Sequence, residues 1–258
     1  KVVPPAVQRF GKYEGKWVAV PVNMHRPHWI WSNAKVFKDN GLTPPKTWDE
    51  FLAVAPKIKS AGYIPLAFGA NAQQLAWLFN AVFAGAGGKD LYRDVYVKHD
   101  GKKAGSDGVL KVFEVLGQLR QYVDAGSPNR KWNDSLALVQ TDKAALMVLG
   151  DWAKGDFAAA NKVLGKDFGC AMAPGNQEAY VMTVDVFVFP VNNKPDQKAA
   201  QDKLATLMMD PAVQTEFNAF KGSIPSRLDA NIASLDDCAK MGQNVLKCMI
   251  TAHLMMLN

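Results

Sequence analysis

The sequence predicts an α/β chain with a largely parallel sheet, and three observations carry that expectation. Runs rich in β-branched and aromatic residues, "AALMVL" at 144–149 and "AYVMTVDVFVFPV" at 179–191, read as strands. Helical patterns of ten or more residues stand between such runs, which is the alternation that βαβ units produce. Composition is ordinary for a globular chain, with 48% hydrophobic and 21% charged residues, so a packed core rather than disorder is expected of the 258 residues.

In chain order, "VAVPV" at 18–22 is strand-like and leads into "NMHRPHWIWSN". Pro44 and Pro45 close the next stretch, and Thr47 with Glu50 form a capping box. Phe51, Leu52, Val54, Ala55 and Ile58 then recur at helical spacing up to Gly62. "YIPLAF" at 63–68 reads as a strand, and an apolar helix spans about Gln73 to Phe83. The most regular helix starts near Asp107, puts Val109, Val112, Phe113, Leu116, Leu119 and Val123 on one face, and stops by Gly126. A short helix follows from about Asp134, then the strand at 144–149, a helix from Asp151 to about Val163 and a strand at Phe168–Met172. After the strand at 179–191 come helices at Pro195–Met209 and Pro211–Phe220, the turn "KGSIPSR", and an apolar helix near Val245–Leu257.

Several function classes are excluded or weakened. Thirty Lys and Arg against 24 Asp and Glu leave a net charge of +6, but the excess is dispersed, so no basic stripe for nucleic acid forms. No stretch approaches the roughly 18 apolar residues of a membrane span. "GAGGKD" at 85–90 departs from a phosphate loop, with Phe83 at the first glycine position and Asp90 in place of the Ser/Thr. GxSxG, HExxH and strand-to-helix GxGxxG motifs are all missing. The four histidines, His25, His28, His99 and His253, show no metal spacing, and no cofactor is implied. Cys170, Cys238 and Cys248 fit one disulfide plus a spare thiol in an oxidising compartment, or three free thiols in a reducing one.

The residues that invite a functional reading are few. Trp152, in "MVLGDWAKGDF", stands where a strand turns into a helix, and Trp132 precedes it in "RKWNDS". Asp185 lies inside an apolar strand pattern, where a carboxylate is costly unless paired or hydrogen-bonded. Lys221 follows "FNAF", and His253 sits in apolar surroundings. Asp151, whose simplest role is helix capping, makes with Asp185 the carboxylate pair to watch for a glycosidase.

Five segments together, "PVNMHRPHWIWSNAKVFKDNGLTPPKTWDEFLAVAPKIKSAGYIPLAFG", "YVDAGSPNRKWND", "MVLGDWAKGDF", "DFGCAMAPG" and "FKGSIPSRLD", resemble the glucose- and mannose-type sugar-binding proteins of bacterial ABC importers, within the maltose-binding-protein-like class. That resemblance implies a two-lobe hinged trap that closes on a monosaccharide in an inter-lobe cleft and docks on a membrane permease, working in the periplasm or as a secreted protein and without enzymatic activity. It implies Trp132, Trp152, Asp185, Lys221 and His253 as ligand contacts, His25 near the hinge, and Cys170 paired with Cys238. The segments 20–26 and 183–187 would be crossings between lobes. Residues 1–22 would be a remnant of the first lobe and hinge, 23–183 the second lobe, 184–225 a further piece of the first, and 226–258 a return to the second. Family members carry more chain before the position of Lys1 and after "TAHLMMLN", and "AHLM" lacks the family's glycine after the histidine. A nearly complete second lobe and a partial first are therefore expected, with self-association through exposed first-lobe strands.

Overall fold

The computed structural model describes residues 2–251 and 256–257, with side chains up to Lys247. Two compact units result. The first consists of Lys1–Arg26 with Met182–Leu257, the second of Pro27–Val181.

The second unit is built on a four-stranded sheet in the order Ile64–Ala67, Ala144–Leu149, Trp29–Asn33, Phe168–Met172. Only the first pairing is parallel, with Ile64 opposite Ala144. Trp29–Asn33 runs against both of its neighbours, Trp29 facing Leu149 on one side and Met172 on the other. The expected largely parallel sheet is thus corrected. Three strands do share one direction, but a fourth is inserted between two of them, and two helices, Ala34–Asp39 and Trp48–Ser60, separate it from the next strand in sequence. That strand has no alternation to betray it, because all five of its residues are buried.

Its two tryptophans anchor the core. Trp31 packs against Phe157 and Phe168 at ring-centroid distances of 5.8 and 6.1 Å, and those two phenylalanines stack on each other at 3.8 Å. Trp31 Nε1 donates to the carbonyls of Leu149 (3.0 Å) and Gly150 (3.2 Å), so burying the indole leaves no orphan donor and fixes the end of the neighbouring strand.

The capping box forms with one displacement. Thr47 Oγ1 accepts from the Glu50 amide at 3.1 Å, while Glu50 Oε2 reaches back to the Lys46 amide at 2.6 Å, one residue before the cap. The helix Asp107–Leu119 buries Val112, Val115 and Leu119, not the whole predicted face. Phe113 is 56% exposed, because the buried stripe runs one position away from it. The helix after Trp152 is also shorter than expected, Ala153–Ala159, ending where Asn161 adopts φ +54°.

In the first unit, Ala19–Pro21 pairs antiparallel with Val186–Val188. The predicted continuous strand at 179–191 is broken: Val181–Met182 and Val186–Val188 are separate strands, because Thr183 and Asp185 turn their backbone groups toward His25 and Val22. Helices Pro195–Met208, Pro211–Lys221 and Asp237–Thr251 complete the unit, the last starting well before Val245. Among the described residues, no helix is long and apolar enough to cross a membrane.

Candidate functional site

Trp152 is presented by a built turn. The strand Ala144–Leu149 ends at Leu149, where Trp31 holds its carbonyl, and the helix Ala153–Ala159 begins with Trp152 as its N-cap residue. Asp151, expected at the head of that helix, lies just outside it and is buried. Gly150 is required here by space rather than by dihedral. A Cβ on Gly150 would stand 2.1 Å from Trp152 Cζ3 and 2.2 Å from Cη2, so the indole folds back over a bare backbone. Gly150→Ala is accordingly expected to displace the indole and weaken ligand binding about tenfold or more while the fold survives; comparison of tryptophan emission and ligand affinity in the variant and the parent checks it.

The ring that Trp152 meets is Trp77, at 5.0 Å between centroids and tilted by 54°. Both indoles are half-buried. Trp77 sits on the helix Ala72–Val82 and was not anticipated from sequence, because a tryptophan inside an apolar helical run reads as core. Trp132, also half-buried, opens the helix Trp132–Gln140. The loop before it is pinned by the bidentate Arg130–Asp124 pair (2.6 and 2.5 Å) and by Gln74, whose amide receives the Gly69 N–H and donates to the Arg130 carbonyl.

The first unit assembles Asp185, His25 and Lys221, three of the residues expected at the site or the hinge. Asp185 Oδ2 accepts from Asn23 Nδ2 at 3.0 Å, lies 3.3 Å from His25 Nε2 and 4.0 Å from Lys221 Nζ. All three side-chain partners converge on Oδ2. The carboxylate itself remains 47% exposed. Lys221 ends the helix Pro211–Lys221, and Gly222, at φ +86°, supplies the left-handed cap that turns the chain there. Beneath the turn, Asn218 Nδ2 donates to the Val22 carbonyl (3.0 Å) and Ser223 Oγ to Asn218 Oδ1 (2.6 Å), both side chains fully buried.

The His25 hydrogen bond, assisted by Asn23 and by the His25 and Lys221 charges and opposed by burial, holds the Asp185 carboxyl down to about 2. A depressed carboxylate pKa stabilises the fold above the ordinary carboxylate range, and that contribution is lost as pH falls toward 2. Ligand binding through Asp185 is therefore expected to persist unchanged down to pH 4, which an affinity series from pH 4 to 8 checks.

His253 lies outside the described residues. Cys170 and Cys238 are both disulfide-bonded. A cavity of about 940 Å³ lies elsewhere: a largely apolar groove in the second unit between the helices Ala72–Val82 and Asp107–Leu119, lined by Leu75, Phe79, Phe113, Leu116 and Val123 among others. Its lining is mostly apolar, with Arg120, Asp124 and Ser127 among it.

Comparison with known proteins adds the following. The model of the family described as bacterial extracellular solute-binding protein matches residues 2–240. A probable sugar-binding periplasmic protein of Mesorhizobium japonicum is 42% identical over 96% of this chain and 59% of its own length. A relative of the same description from Rhizobium meliloti is 40% identical over 94% and 58%. The chain thus spans somewhat under three fifths of the curated relatives it matches. Among solved structures, the bacterial solute receptor AcbH, described as having an exclusive preference for β-D-galactopyranose, superposes with TM-score 0.75 at 21% identity, covering 98% of this chain and 69% of that one. The GacH receptor of Streptomyces glaucescens, solved unliganded and with acarbose, gives 0.74 at 19% identity over 100% and 64%. These likenesses establish the fold as that of the solute-binding receptors.

Proposed function

The chain belongs to the bacterial extracellular solute-binding proteins, and on that premise we propose that it binds a sugar and hands it to the permease of an ABC importer. Its compartment is the periplasm, as for its curated relatives.

The observation that carries the sugar reading is the half-exposed Asp185 carboxylate, ionised and, among the described residues, held through Oδ2. A neutral polyol is held well by an ionised acceptor whose geometry is already fixed, because a charge-assisted bond is strong and a misplaced hydroxyl leaves the carboxylate desolvated and unpaired. Lys221 beside it offers a donor to the ligand's oxygens. Trp152, with Trp132 as a second platform, suits the CH-bearing face of a pyranose, which an indole covers while leaving the rim free for polar contacts. We read the ligand as a monosaccharide of the glucose or mannose type.

One observation favours a longer ligand. Trp77 beside Trp152 makes two adjoining aromatic surfaces, enough for a second ring. Calorimetric titration with glucose, mannose, galactose and a disaccharide separates the readings. A single monosaccharide binding tightest supports the first; a disaccharide preferred over every monosaccharide supports the second; heat of dilution only, with all four, contradicts sugar binding.

A further inference from the structure

We propose that Asn23 is the positioning residue for the ligand carboxylate: it clamps Asp185 by both backbone and side chain and thereby ties the two segments through which the chain passes between its units. The proposal rests on the sugar reading above for its functional meaning, and on geometry for the clamp itself.

Asn23 is completely buried. Its Nδ2 donates to Asp185 Oδ2 at 3.0 Å, and its Oδ1 accepts from the Asp185 N–H, also at 3.0 Å. The neighbouring Val22 N–H donates to the Asp185 carbonyl at 3.0 Å. Two consecutive residues thus satisfy the amide, the carbonyl and one carboxylate oxygen of a single aspartate. A primary amide is the group that fits, because it offers an NH2 donor group and a carbonyl acceptor from one rigid plane, and the same Nδ2 also lies 3.2 Å from His25 Nε2. The surroundings reinforce the arrangement: His25 N–H donates to the Thr183 carbonyl (2.7 Å), and Thr183 N–H returns to the His25 carbonyl (3.0 Å).

The location gives the clamp its interest. The chain leaves the first unit after Arg26 and re-enters it at Met182, so Asn23 and Asp185 lie just inside the two passages. A ligand hydroxyl that bonds Asp185 acts on a carboxylate fixed to both passages at once. The charged and titratable groups facing Asp185 are His25, on the segment of Asn23, and Lys221, at the end of the helix Pro211–Lys221.

Two variants test the proposal. In Asn23→Leu the shape is kept, and both bonds to Asp185 are lost along with the contact to His25. The Asp185 carboxyl, followed by carbon-13 NMR without any sugar, should then titrate nearer the ordinary carboxylate range, and sugar affinity should fall about tenfold. In Asn23→Asp the new side chain replaces the amide donor only while protonated. Affinity should therefore match the parent near pH 5 and fall about tenfold or more by pH 8, as two adjacent carboxylates both ionise. The parent, which shares His25 and Lys221, serves as the control and should stay flat. If Asn23→Leu does not fold, the near-isosteric Asn23→Asp still decides. An unchanged Asp185 titration in Asn23→Leu, or a flat pH profile at parental affinity in Asn23→Asp, overturns the proposal. If the parent binds no sugar, the functional reading falls, while the NMR titration still accepts or rejects the clamp.

Discussion

Trp152→Ala should weaken sugar binding about 30- to 100-fold, the effect of removing about 2–3 kcal/mol from a contact that dominates an interface, while the melting temperature falls by only about 2–4 °C. The asymmetry follows from where the indole stands. It is half-buried on a turn, it rests on Gly150 and Trp77 rather than inside the sheet core, and the turn is held by Trp31 instead. Deleting it removes a platform and leaves the strand end and the following helix in place. Thermal unfolding followed by circular dichroism, together with calorimetric titration, measures both halves of the expectation. A large loss of stability with normal affinity would mean that this tryptophan is core.

Trp31→Ala should instead cost stability. Trp31 has no exposed surface, bridges Phe157 and Phe168, and donates to the carbonyls that end the adjacent strand. Truncation leaves a cavity beside the stacked Phe157–Phe168 pair and removes a buried donor, at a cost of about 3–5 kcal/mol. Chemical denaturation should show a lower midpoint at a nearly unchanged slope. Because Trp31 also positions Leu149 and Gly150, sugar affinity should fall with stability in this variant, whereas the two are uncoupled in Trp152→Ala. A loss below about 1 kcal/mol would contradict the assignment of Trp31 to the core.

Much of this was legible from residue order alone, for local reasons. The capping residue Thr47, the strand Ala144–Leu149 and the turn at Trp152 each announce themselves within a few neighbouring residues. Asp185 was legible because a carboxylate in a run of valine and phenylalanine demands an explanation. The strand Trp29–Asn33 was not, since a strand buried on both faces shows no period of two and its Pro, His and Trp surroundings resemble a loop. Its reversed direction was beyond reach for a related reason, as strand sense depends on how many elements intervene and not on the strand itself. Asn23 and Trp77 were missed because each matters through one distant partner, Asp185 and Trp152 respectively, and nothing in their own neighbourhoods marks that partner. Phe113 misled because helical spacing identifies an apolar side, while the edge of that side is set by what packs against it.

The central claim is that the Asp185–Lys221 cluster holds a sugar. Amide hydrogen exchange with and without saturating sugar tests it most directly, without altering the chain. The expected result is slower exchange at about residues 183–187, with the apolar groove around Phe79 and Phe113 unchanged. Protection confined to that groove, or exchange unaltered throughout in the presence of every sugar tried, would contradict the claim.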